Sequence, residues 1–228
     1  LREFRGEGIK KVFTVDAGDT DGDSFSSAID SQSFKAGVTV VGHESIPTGH
    51  ADWEGITQQI VASGAQTVVW GSAPGTGENE LWTAIAASPR RIGMFAGPAF
   101  PPSSLVNLPA LKGQTRVCSA AVPAEQQTPS STAFARAFRE RWGHPPQPGS
   151  VRGAAAMSLM LDALEKATVG GRLPQDLMTA RHSAIKALAR TRSVDSLLGK
   201  IQLDRLGNWN TAPVGIWALQ GSKVSFSQ

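Results

Sequence analysis

Short apolar runs alternate with amphipathic stretches through the first half of the chain. Lys11-Val12-Phe13-Thr14-Val15 is a run of β-favouring residues that ends in a loop rich in Asp and Gly. Phe25, Ala28 and Ile29 then recur at helical spacing, and that helix closes near Gly37. Val38-Thr39-Val40-Val41 predicts the next strand. Asp52 is placed to cap a helix whose Trp53, Ile56 and Ile60 share one face and whose end is marked by Gly64. Thr67-Val68-Val69-Trp70 is the run expected of a strand covered on both faces of a parallel sheet. Leu81, Trp82 and Ile85 mark a helix stopped by Pro89. Ile92–Ala96 and Thr115–Ala120 supply a fourth and a fifth strand. Strands alternating with helices in this way connect by right-handed βαβ crossovers. The expected fold class is α/β, a Rossmann-like parallel sheet flanked by helices.

After Pro123 the texture changes. A helix starting at Ser130 or Ser131 carries Phe134, Phe138 and Trp142 and ends at Gly143. The stiff segment His144-Pro145-Pro146-Gln147-Pro148-Gly149 suits a crossing between domains. A long Ala-rich helix follows over 151–167, with Met157, Leu161 and Leu164 on one stripe, and another over 174–190. A strand over 200–204 enters a turn at Leu206-Gly207. The chain closes with a strand over 214–219 and a hairpin turn at Gly221-Ser222-Lys223.

With 40% hydrophobic and 18% charged residues, the 228-residue chain can bury a real core and falls outside the disordered range. Its net charge is only +3. The one dense basic region, 181–205, is interleaved with helical apolar residues and reads as a solvated helix face, so no nucleic-acid partner is expected. Cys118 is the only cysteine, which rules out an internal disulfide, and a buried small hydrophobe is its expected role. No apolar run is long enough to cross a bilayer, and residues 1–10 do not read as a signal peptide.

Candidate chemistry is sparse. Asp16-Ala17-Gly18-Asp19-Thr20-Asp21-Gly22-Asp23 concentrates carboxylates as a calcium loop would. Setting Gly22 as the central Gly leaves Ala17 and Ala28 at the end positions, where ligands are required. A solvated turn with a helix cap, or a ligand-facing role for Asp19 or Asp21, fits better. Gly71-Ser72-Ala73-Pro74-Gly75-Thr76-Gly77 has the G-x-G of a dinucleotide loop, but Glu80 stands at the third Gly position and the ribose-binding acid is missing. No cofactor is implied. His43, His50, His144 and His182 are isolated in sequence, without metal-ligand spacing, and Gly71-Ser72 does not complete a nucleophile elbow. The chain does not read as an enzyme.

Four stretches, in order, carry a family resemblance. They are Lys10 to Asp16 followed by Gly22; Phe34 to Val41, then Asp52 and Ile60 to Val69; Gly153-Ala154-Ala155-Ala156 through Asp162 to Ala167; and Gly199-Lys200-Ile201-Gln202-Leu203-Asp204-Arg205-Leu206-Gly207. Together they resemble type I periplasmic substrate-binding proteins of the branched-chain amino-acid importer branch. The resemblance implies that residues 8–147, completed by 213–228, make the second lobe, and that 148–212 are a mostly helical remainder of a first lobe, most of which would precede this chain. It implies a hinged, extracytoplasmic protein closing on a small polar ligand in an interlobe cleft. Its partner would be a membrane permease or, in the alternative, a fused signalling domain, with a homodimer left open. The wall formed by the second lobe points to Asp19, Thr20 and Asp21, to Gly71, Ser72 and Ala73, and to Ala99 and Phe100, the last as apolar wall or as plain core. Where the family has Tyr-Gly after the first strand, this chain has Asp21-Gly22. No acid stands near Gly97-Pro98-Ala99-Phe100 to meet an amino-acid ammonium, so amino-acid specificity is not implied.

Overall fold

The computed structural model describes residues 2–47, 52–119, 122–123, 128–147, 149–209 and 214–227; His50 and Pro148 lie outside them. The chain forms two compact units, Leu1–Ser119 with Gly215–Gln228, and Ala120–Val214.

The first unit is an α/β layer structure. Its strands are β1 (Lys11–Asp16), β2 (Thr39–Ser45), β3 (Thr67–Trp70), β4 (Gly93–Ala96), β5 (Thr115–Ser119), β8 (Gly215–Gln220) and β9 (Lys223–Ser227). They lie in the order β2-β1-β3-β4-β5-β8-β9. The first five pair in parallel, whereas β8 and β9 close the far edge antiparallel. The helices are α1 (Arg2–Gly6), α2 (Thr20–Ser33), α3 (Trp53–Ser63) and α4 (Glu78–Ala87).

Strand parity divides the core. Phe13, Val15, Val68, Trp70, Met94 and Ala96 face one side, where Ile56 and Ile60 of α3 and Leu81, Trp82 and Ile85 of α4 pack against them. Val12, Val69 and Phe95 face the other, against Ile29 of α2 and Phe4 of α1. The first helix carried no periodic signal in the sequence. Phe4 anchors it in the core, being 1% exposed and meeting Phe95 edge-on at 4.9 Å, and Arg5 donates to Lys35 O and Ala36 O at 3.1 and 3.2 Å. Burying one such ring contributes about 1.5–3 kcal/mol, enough to anchor one turn.

Local chemistry sets the element ends. The Asp52 carboxylate accepts from Gly55 N at 2.9 Å, and Gly64 ends α3 in the left-handed region at φ 73°. Cys118 is half-buried rather than enclosed and packs against the core on the α2 side of the sheet. That partial burial pushes its thiol pKa up.

The second unit contains α5 (Pro129–Trp142), α6 (Ser150–Lys166), α7 (Leu177–Arg190) and the hairpin β6 (Ser193–Ser196) and β7 (Gly199–Gln202). The strand 193–196 was not anticipated; it pairs antiparallel with β7. Helix α7 begins at Leu177, where the Asp176 carboxylate accepts from Thr179 N at 2.7 Å. Helix α5 belongs to this unit: Thr128 Oγ1 donates to Leu197 O at 2.5 Å, and Phe134 and Ala135 pack with Val151, Leu197 and Leu198. The Pro-rich segment from 144 onward therefore lies inside the second unit. The stripe Met157 and Leu161 is exposed, at 60% and 58%.

Candidate ligand-binding rim

Parallel strands bring their carboxyl ends to one edge of the sheet. Beyond β1 the chain turns into α2 on one face, and beyond β3 it turns toward α4 on the opposite face. Because β1 and β3 are neighbours, the two loops leave adjacent strand ends toward opposite faces, which makes this the topological switch point at which open α/β sheets hold ligands.

The two loops are tied together. Ser72 is fully buried; its hydroxyl accepts from Ala17 N at 2.8 Å and donates to the Asp19 carboxylate at 3.0 Å. The same Asp19 oxygen accepts from Gly22 N at 2.6 Å as the N-cap of α2. Gly22 sits inside this junction: a Cβ there would lie 2.5 Å from Ser72 Oγ and 2.6 Å from Asp16 Cβ. The loop after β4 joins the group, since Gly97 N donates to Trp70 O at 2.8 Å and its Cα approaches the Phe25 ring too closely for a side chain.

These contacts sort the predicted residues. Asp19, Gly71 and Ser72 are brought together as structural members of the rim. Thr20 and Asp21 are exposed on the first turn of α2, and Ala73 and Ala99 are half-buried at the loop surfaces. Phe100 is 0% exposed and stacks on Trp82 with centroids 6.2 Å apart, so its ring is core beneath the rim.

Beneath the junction lies a cluster that sequence reasoning missed. Asp16, at 0% exposure, accepts from Gly18 N at 3.0 Å, from Ser26 Oγ at 2.8 Å and from His43 Nε2 at 2.8 Å. His43 is therefore not isolated. Burial alone would raise the Asp16 pKa, but the hydrogen bonds from His43, Ser26, Ser45 and Gly18 outweigh it and hold the carboxyl below its ordinary value. An ionised carboxylate only accepts, so the His43 proton sits on Nε2. The burial of Asp16 was readable, since 12, 14 and 16 share a strand face. Its partner was not, because the β1–β2 register shifts between Val12 and Phe13.

The Gly-rich loop after β3 is closed upon itself. The buried Glu78 carboxylate accepts from Gly75 N at 2.8 and 2.9 Å and from Thr76 N at 3.1 Å. The N–H groups that would cradle a nucleotide phosphate are thus taken by the protein's own carboxylate. Among the described residues no three His, Cys, Asp or Glu side chains gather as a metal site, and no helix is long and apolar enough to cross a membrane.

The profile of the periplasmic binding protein family matches residues 2–223. The chain belongs to this family. No curated protein matches the chain. The fold of this periplasmic binding protein is shared with solved structures at low identity. An ABC transporter substrate-binding protein from Desulfitobacterium hafniense in complex with Leu is 18% identical with a TM-score of 0.76, covering 99% of this chain and 62% of its own. A leucine binding protein from Thermotoga maritima is 17% identical, with a TM-score of 0.79 and coverage of 99% and 61%. An ABC transporter solute binding protein from Rhodopseudomonas palustris in complex with benzoate is 17% identical, with a TM-score of 0.72 and coverage of 99% and 59%. The chain spans about three fifths of the length of these structures. The family and fold are those of non-enzymatic solute-binding proteins that work outside the cytoplasm.

Proposed function

We propose that this periplasmic binding protein is the solute-binding component of an ABC-type importer, and that the carboxyl-end rim of its sheet is one wall of the solute site. The observation that carries this reading is the switch point itself, where Ser72 bridges the loops after β1 and β3. Thr20, Asp21, Ala73 and Ala99 face the solute, while Asp19, Gly71, Ser72 and Phe100 keep the wall in shape. On this reading the sheet unit, Leu1–Ser119 with Gly215–Gln228, is the second lobe and the unit Ala120–Val214 belongs to the first. The partner is a membrane permease, and the protein acts outside the cytoplasm.

The solute is small and polar, amino-acid-like or related. The structures bound to Leu and to benzoate favour this class, because both ligands carry one carboxylate on an apolar body. Thermal unfolding of the chain with leucine, other amino acids, their amides and benzoate tests the proposal. A true ligand at a hundred times its Kd stabilises by about 2.7 kcal/mol. If no member of the panel raises Tm, the proposal fails.

A further inference from the structure

We propose that the second unit carries a separate oxyanion site that takes a phosphate group. The end of α6 and one face of α7 enclose an open cavity of about 560 Å³, lined by Lys166, Lys186, Arg190 and Arg192 and by no acidic residue. Ser183, Lys186 and Arg190 recur at helical spacing, so α7 turns a hydroxyl and two cations toward the same space. This charge belongs to the second unit and plays no part in the solute reading.

Cations commonly sit near helix C-termini, and α6 and α7 both end here, so the charge balance decides whether these residues are caps alone. Lys166 is paired with Asp162 at 2.6 Å, which cancels one charge. Each helix end carries about half a negative charge, so the two ends offset about one more. Lys186 and Arg190 make no hydrogen bond or ion pair among the described residues, and Arg192 uses one Nη1 donor on Ala189 O at 2.7 Å. About two positive charges remain around the cavity beyond what the helix ends absorb. Arginine and lysine together give planar and point-charge donors, which suit the tetrahedral oxygens of a phosphate dianion. Such a group reaches the cavity either as free phosphate or as the headgroup of an anionic lipid.

Isothermal titration of the chain with inorganic phosphate, and sedimentation with phosphatidic acid vesicles against phosphatidylcholine vesicles, separates the two sources. Binding in either arm that weakens about tenfold or more in the Lys186→Gln, Arg190→Gln double variant supports the site. The charge-conserving pair Lys186→Arg, Arg190→Lys should keep most of the binding. Circular dichroism and the rim ligand's Tm shift check that the Gln variant is folded. Absence of binding in both arms, or binding undiminished in the folded Gln variant, overturns the proposal.

Discussion

The Ser72 hydroxyl donates to the Asp19 carboxylate at 3.0 Å, joining residues 53 apart in sequence and belonging to loops that leave the sheet on opposite faces. Because Ser72 also accepts from Ala17 N, it uses its hydroxyl in both senses, and Asp19 is thereby held as the cap of α2. Ser72→Ala leaves the buried Ala17 N–H without a partner, and urea unfolding should show a loss of about 1–3 kcal/mol.

Glycine substitutions distinguish a crowded site from an open one. Gly22→Ala drives a methyl group into Ser72 Oγ and Asp16 Cβ. A loss of about 1–3 kcal/mol is expected on unfolding, with weaker solute binding. Gly153 lies within α6 with no atom near its virtual Cβ. Gly153→Ala should therefore stabilise by about 0.5–1 kcal/mol.

The Asp16 cluster gives the fold a pH dependence of definite sign. Its folded pKa lies below the ordinary carboxylate value, so the unfolded chain binds its proton first as pH falls. The stabilisation is complete above the ordinary value of 3.8 and is lost as pH drops through the folded value. Unfolding free energies for the natural chain and for Asp16→Asn, measured from pH 7 to pH 2, should converge at the acid end. A gap that stays constant across the range would refute the assignment.

Phe100→Ala separates core from wall. The ring is fully buried on Trp82, so truncation should cost about 3–5 kcal/mol of stability. A variant that unfolds at the natural midpoint while losing solute would place the ring in the site instead.

Periodicity made the sheet unit legible because its strands obey simple rules. Thr67–Trp70 carries three apolar residues in a row and is buried throughout, as a central parallel strand must be. Asp52 and Gly64 marked α3 at both ends because capping is local chemistry. Non-local facts were out of reach. The His43–Asp16 bond depends on a shift in the β1–β2 register between Val12 and Phe13, and the Ser72–Asp19 bond depends on two loops meeting across the switch point. Phe4 anchors α1 through Phe95, a partner distant in sequence. The second unit was read as helices, but its β6–β7 hairpin was half missed, since Ser193–Ser196 has no strong β pattern of its own.

The most direct measurement is a backbone amide NMR titration of the chain with a solute selected by thermal shift. Binding at the rim predicts the largest shifts at Gly18, Gly22, Ala73 and Ala99. Shifts confined to Gly8, Gly64 and Gly113, at the opposite edge where the parallel strands begin, would contradict the assignment of the site.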